Sequence, residues 1–238
     1  MSFLDHLFVI AFAVIYPIAG FIGFRRLLRR AARGEVIDRS QLYRNTYIGH
    51  WTLFFLFLGL WIGTSRDFSA VGVNFELDLW TAISALLTAA AIVTLVVQLR
   101  HVQDSTQEQI DNLSRRIGKL AIIVPHNESE LMRFYGIAVT AGIVEEVLWR
   151  GFMIWYLSLF MPLWAAALVS ALGFAVAHAY QGLSNLPQIA GVSATLTAVY
   201  LLSGSIWLPI VLHAAIDILQ GRLGYDVINR SGYREQFS

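Results

Sequence analysis

The sequence contains no cysteine, and charged residues make up only 14% of its 238 positions. The lack of cysteine excludes disulfide bonds, thiolate metal sites and a cysteine nucleophile. A typical soluble domain has about 25% charged residues, so this low charge, together with a hydrophobic content of 57%, indicates an integral membrane protein. The net charge of +1 arises from charges that are segregated along the chain and form no single basic face, which gives no support for a nucleic-acid partner.

Seven apolar segments predict helices in the lipid bilayer, the seventh being shorter than the others. Apart from Arg66 and Arg150, every lysine and arginine lies in an interval that the positive-inside rule assigns to the cytoplasm. The N-terminus is therefore predicted outside and the C-terminus inside, most simply in the cell membrane of a prokaryote. Arginines follow the first segment and do not precede it, so it is predicted to be a retained helix and not a cleaved signal. The predicted segments are Phe3–Phe24, Tyr47–Thr64, Leu79–Leu99, Glu128–Ser158, Leu163–Ala179, Leu186–Leu202 and Ile206–Leu219.

An eighth helix is predicted on the cytoplasmic surface, in the polar interval that follows the third segment. Ile110, Leu113 and Ile117 recur at helical spacing there, and Ser105 with Glu108 has the pattern of a capping box. Such an amphipathic helix lies along the membrane surface. The predicted fold is therefore an all-α polytopic bundle of about seven transmembrane helices plus one surface helix.

Two adjacent glutamates, Glu145 and Glu146, interrupt the apolar fourth segment together with Arg150. Glu146 and Arg150 are four residues apart, so they share one helical face and are predicted to form a structural ion pair. Glu145 points about 100° away and has no partner in its own helix. Ionisable residues in a bilayer cost several kcal/mol and usually mark a functional site. Glu145 is therefore predicted to be a catalytic base.

The later segments add two histidines and a third carboxylate. His178 lies near the end of the fifth segment, and His213 and Asp217 share one face of the seventh. Small residues next to Glu145, His178 and His213, such as Gly142 and Ala214, allow the helices to approach closely. The occurrence of two histidines and two carboxylates in three apolar segments favours a single polar site at which these side chains meet. His50 in the second segment, by contrast, is interpreted as an interfacial packing residue.

Three motifs in these segments resemble those of the CPBP family. They are Glu-Glu-x-x-x-Arg at 145–150, Phe-x-x-x-His at 174–178 and His-x-x-x-Asp at 213–217. The family comprises CAAX-processing and bacteriocin-processing intramembrane endopeptidases, also called ABI proteins, and includes lysostaphin-resistance-like proteins. The resemblance covers roughly residues 130–220, so three regions are predicted: N-terminal helices with the cytoplasmic surface helix in residues 1–125, a catalytic helical core in 126–222 and a cytoplasmic tail in 223–238.

The resemblance also implies peptide-bond hydrolysis without a covalent intermediate, on peptide or protein substrates associated with the membrane. Glu145 and His178 match the residues that activate a water molecule, while His213 and Asp217 match those that stabilise the oxyanion. The family often has asparagine at the last position. An aspartate donates a hydrogen bond only when protonated, so Asp217 is predicted to orient His213 instead.

Two alternatives remain open from the residues alone. Glu145, His178, His213 and Asp217 are all competent zinc ligands, so a zinc metalloprotease is possible although no His-Glu-x-x-His motif is present. Buried carboxylates and histidines also form proton relays, so a proton-coupled transporter is the alternative from another class. No cofactor other than a possible zinc ion is expected.

Overall fold

The computed structural model describes residues 1–231, which form helices and turns without a β-strand in that range. Residues 232–238, including Arg234 of the predicted tail, lie outside the described residues. We number the principal helices of the described part α1 (Phe3–Ala32), α2 (Arg39–Gly63), α3 (Leu79–Gln103), α4 (Gln107–Ile117), α5 (128–158), α6 (Leu163–Ala177), α7 (Leu186–Ser203) and α8 (Trp207–Arg230).

The predicted all-α membrane bundle is confirmed. By length and apolar composition, four helical stretches can cross a membrane: α1, α2, α3 and the stretch Leu183–Ser203 that contains α7. The apolar α6 is shorter, while α5 and α8 carry the charged residues of the later motifs. Large apolar side chains cover much of the outside, among them Leu86 and Val97, as expected for a surface that faces lipid tails.

The start of α5 lies where the sequence predicts it. Asn127 accepts a hydrogen bond from the Glu130 backbone N–H at 2.9 Å, and the Glu130 carboxylate accepts one from the His126 N–H at 2.8 Å. The surface helix α4 is also present, but its cap is Thr106 with Gln109, one residue later than the predicted Ser105 and Glu108.

The last helix is longer than predicted. The sequence places its end at Leu219 with Gly221 just beyond, whereas α8 continues to Arg230. Gly221 serves packing instead of helix termination, because a Cβ atom at this position would overlap the Phe134 ring of α5. Gly224 meets Val124 in the same way, at 2.8 Å. A glycine can mark either a helix end or a close contact between helices, and Gly221 marks a close contact.

Two helices contain a turn of π-helix, at Ala11–Ile15 in α1 and at Val147–Met153 in α5. The first precedes Pro17, whose ring clashes with regular helical bonding in the preceding turn. The second directly follows Glu146. Single π turns are rare and occur frequently at functional sites, and both of these lie beside the polar residues described below.

The loop between α2 and α3 closes one end of the bundle. Val71 is 2% exposed and its carbonyl would lie 3.1 Å from a Cβ on Gly151 of α5, while the Gly72 carbonyl accepts a hydrogen bond from the Ile206 N–H at 2.8 Å. Arg66 in this loop makes two 2.7 Å hydrogen bonds to the fully buried Asp5 of α1. The loop is therefore fixed to α1, α5 and the start of α8.

Candidate active site

Glu145 lies near the middle of α5, with its side chain 17% exposed. The two oxygens of its carboxylate have different surroundings. Oε1 is 2.9 Å from Nε2 of His50 on α2. Oε2 is buried, has no hydrogen-bond partner among the described residues, and lies 3.6 Å from Nε2 of His178. One oxygen is thus held by the protein, and the other faces the histidine at the end of α6.

His178 is the C-cap residue of α6, and the geometry fixes which ring nitrogen carries the hydrogen. Nδ1 is 2.9 Å from the Phe174 carbonyl. A carbonyl only accepts, so Nδ1–H is the donor, and in the neutral ring Nε2 is left as an acceptor directed towards Glu145. The ring also stacks on Phe174, with centroids 4.3 Å apart, so the Phe-x-x-x-His motif provides both the stacking partner and the carbonyl.

Glu146 points away from Glu145, into a fully buried set of contacts. Arg150 donates from Nη1 to Glu146 Oε1 at 2.8 Å, and its Nη2 donates to the Ser193 hydroxyl at 2.9 Å and to the Ser193 carbonyl at 3.2 Å. Glu146 and Arg150 are both 0% exposed, and the guanidinium lies 4.4 Å from the centre of the Phe174 ring. These contacts join α5, α6 and α7 around one charge pair.

His213 of α8 is held by the same glutamate. Its Nδ1 lies 2.6 Å from Glu146 Oε1, and because a carboxylate accepts, Nδ1 carries the hydrogen. Nε2 lies 3.6 Å from Asp217 Oδ2, which is beyond hydrogen-bonding distance. The residue that orients His213 through a hydrogen bond is therefore Glu146, whereas the sequence predicts Asp217 in this role. Glu146 contacts both Arg150 and His213, so it joins the ion pair to the histidine.

The approach of α8 to α5 depends on small residues. A Cβ atom on Gly142, one turn before Glu145 and Glu146, would lie 3.0 Å from both the Cβ and the backbone nitrogen of Ala214. The helices therefore touch through their backbones beside His213. This close contact is the packing that the glycine and alanine pattern predicts for helices in lipid.

A cavity of about 1830 Å³ joins these side chains to one end of the bundle. It is lined by Glu145, His178, His213 and Asp217, and its wall extends to three arginines on α1 and α4: Arg26, Arg30 and Arg116. Ligand pockets usually have volumes of about 300–1,000 Å³, so this space is large enough for an extended peptide segment and more. It reaches the arginine-bearing end, opposite the end that the α2–α3 loop closes.

The structure brings all four predicted site residues to one cavity, and His50, which is predicted to be an interfacial packing residue, lines the same cavity. His50 is 8% exposed and contacts Glu145 directly. A signal was present in the sequence, since His50 is an ionisable side chain in an apolar segment, as are His178 and His213. No motif connected it to them, because it precedes Glu145 by 95 residues.

The candidate zinc ligands do not converge on one point. Within residues 1–231, no group of three or more histidine, aspartate or glutamate side chains has the spacing that would hold a metal ion. Glu145 and His213 face the same cavity, but Nδ1 of His213 is hydrogen-bonded to Glu146.

The fold and the site define a polytopic helical membrane protein with a glutamate and histidine centre beside a large internal cavity. Residues 127–219 match the model of the Rce1-like type II CAAX prenyl endopeptidase family, and this match supports the CAAX/CPBP family of intramembrane proteases. The match supports a membrane hydrolase of the CAAX endopeptidase type. The match leaves out α1 to α4. Neither the curated proteins nor the solved structures contain a match to the chain.

Proposed function

We propose that the protein cleaves peptide bonds of membrane-associated substrates with a water molecule that Glu145 and His178 activate. The observation that supports this most strongly is the buried, unpartnered Oε2 of Glu145, 3.6 Å from Nε2 of His178. Both atoms are acceptors, so a water molecule between them donates one hydrogen to each and turns a lone pair towards the cavity. Glu145 then takes a proton as this water attacks the carbonyl carbon, and it returns the proton to the amide nitrogen when the tetrahedral intermediate collapses and the C–N bond breaks.

The oxyanion that forms requires a donor, and His213 Nε2 is the best placed nitrogen. Its Nδ1 already donates to Glu146, so only Nε2 is directed to the cavity side of the ring. For Nε2 to donate, the ring must carry hydrogens on both nitrogens, and Glu146 and Asp217 supply compensating negative charge on either side. One such donor typically stabilises the transition state by about 2.7–4 kcal/mol.

Substrates enter, in this proposal, from the arginine-bearing end of the bundle. The cavity wall reaches Arg26, Arg30 and Arg116, while the opposite end is covered by the α2–α3 loop. By the positive-inside rule the arginine-bearing end is cytoplasmic. A cavity of about 1830 Å³ accommodates a peptide together with an apolar group, which fits a lipid-modified peptide of the CAAX type or a membrane-bound precursor.

Cleavage by purified protein in liposomes tests this function. Prenylated C-terminal peptides and membrane-anchored precursor peptides are incubated with the protein in ¹⁸O-labelled water, and fragments are identified by mass spectrometry. The expected result is a new carboxyl terminus that carries ¹⁸O, with no acyl transfer when hydroxylamine is added. Trapping of an acyl-hydroxamate would show a covalent intermediate and contradict direct water attack. Solute uptake without any cleavage would favour the transporter instead.

Metal removal separates this mechanism from a zinc enzyme. Because the proposed water is activated by a carboxylate and a histidine, prolonged dialysis against a strong chelator is expected to leave the cleavage rate unchanged. Elemental analysis of the same sample checks that zinc is absent. Loss of activity that zinc alone restores would establish a metalloprotease.

Asp217→Asn is expected to retain cleavage within about 10-fold of the unaltered protein. Asp217 makes no hydrogen bond to His213, and its side chain is 35% exposed. His213→Ala, by contrast, removes the oxyanion donor and is expected to lower kcat by about 10²–10³-fold. Steady-state rates on one peptide compare the two variants. If Asp217→Asn were as inactive as His213→Ala, Asp217 would have an essential role of its own.

A further inference from the structure

His50 contacts the candidate base from a part of the chain outside the family match. It lies on α2, whereas the match begins at residue 127. Its Nε2 is 2.9 Å from Glu145 Oε1, which is hydrogen-bonding distance, and its side chain is 10% exposed. The contact spans two helices that pack directly on each other.

The other ring nitrogen of His50 is also engaged. Nδ1 lies 2.9 Å from the Thr46 carbonyl one turn earlier in α2, and 3.2 Å from the Tyr16 hydroxyl. Since the carbonyl only accepts, Nδ1 carries a hydrogen, and the 2.9 Å contact of Nε2 with a carboxylate oxygen requires a second one. The His50–Glu145 pair therefore carries one more hydrogen than a neutral imidazole and an ionised carboxylate would have together.

Tyr16 reaches His50 because the neighbouring residue is glycine. A Cβ atom on Gly49 would lie 2.8 Å from the Tyr16 hydroxyl oxygen, so any larger residue would displace the phenol. The π turn Ala11–Ile15 directly precedes Tyr16 in α1. The rings of Tyr16 and His50 meet edge to face, with their centroids 6.0 Å apart. Helices α1 and α2 thus hold His50 on one side while Glu145 holds it on the other.

We propose that His50 is a positioning residue for Glu145. By donating to Oε1, it fixes the rotation of the carboxylate so that Oε2 points towards His178, where the proposed water is held. Thr46 and Tyr16 in turn fix the imidazole ring. The inference deepens the proposed function and rests on it: the N-terminal helices contribute to the site by orienting the base, and α2 does so through a single hydrogen bond.

Two substitutions at position 50 separate orientation from packing. His50→Leu fills a similar volume without a donor, whereas His50→Gln offers an amide N–H to Glu145 Oε1. The expected result is a fall in kcat of about 100-fold for His50→Leu, since small misplacements of a catalytic group have effects of this size. His50→Gln is expected to stay within about 10-fold of the unaltered protein. KM should be unchanged in both, because His50 acts on the base and not on the bound peptide.

A second measurement does not depend on cleavage. Melting temperatures of His50→Leu, Glu145→Leu and the double variant in detergent form a double-mutant cycle, and the losses of the two single variants are expected not to add. Additive losses would overturn the contact itself, whatever the activity of the protein. Equal kcat for His50→Leu and His50→Gln, or a change in KM alone, would overturn the positioning role. Failure of the unaltered protein to cleave any peptide would count against the proposed function and leave the cycle as the test of the contact.

Discussion

Glu145→Gln is expected to reduce peptide cleavage by about 10²–10⁴-fold, the usual contribution of a general acid–base group, and to leave the fold intact. Glutamine has almost the same shape and can still accept a hydrogen bond from His50 through its carbonyl oxygen. It cannot take a proton from water. Single-turnover cleavage in liposomes measures the rate, and the melting temperature measures the fold.

Glu128→Gln is the matched control for this substitution. Glu128 is exposed in the first turn of the same helix, more than four turns from the site. Glu128→Gln removes one negative charge, as Glu145→Gln does. The Glu128→Gln protein is expected to cleave peptides at the rate of the unaltered protein. Cleavage by Glu145→Gln at a rate similar to that of Glu128→Gln would exclude Glu145 as the base.

Arg150→Met is expected to lower the free energy of unfolding by about 3–5 kcal/mol, because it removes the arginine partner of the Glu146 carboxylate, which is 0% exposed and keeps only its contact with His213. The substitution also removes the hydrogen bonds from Arg150 to Ser193 and the contact of the guanidinium with Phe174. Unfolding in mixed micelles, followed as the fraction of sodium dodecyl sulfate rises, measures the change.

Two variants show whether burial of the charge causes the loss. Arg222 and Asp226 form an ion pair with the same four-residue spacing in α8, but the Arg222 side chain is 42% exposed, so Arg222→Met is expected to cost at most about 1 kcal/mol. The double variant Glu146→Gln, Arg150→Met also removes the buried carboxylate charge that has lost its arginine partner, and it is expected to recover part of the loss. Equal losses for Arg150→Met and Arg222→Met would show that the buried pair contributes little.

The predicted membrane class and the positions of most helices follow directly from the sequence. Long apolar runs separated by arginine-rich intervals are local features, and capping at Asn127 is local too, so they need no knowledge of neighbouring helices. The three motifs likewise predict the family whose model residues 127–219 match, and they include the four residues that line the cavity. Gly221 misled the prediction of α8, because a glycine alone does not reveal whether it ends a helix or admits a neighbouring ring.

What each carboxylate touches was decided only by tertiary structure. Helical spacing pairs Glu146 with Arg150, yet it cannot reveal that His213, 67 residues further on, shares the same oxygen. Nor can it reveal that His50, 95 residues before Glu145, holds that residue's Oε1. Spacing within a helix specifies which side chains share a face. Which helix lies opposite that face depends on how α2, α5 and α8 pack and rotate against one another, and that arrangement determines the partners of Glu145 and Glu146.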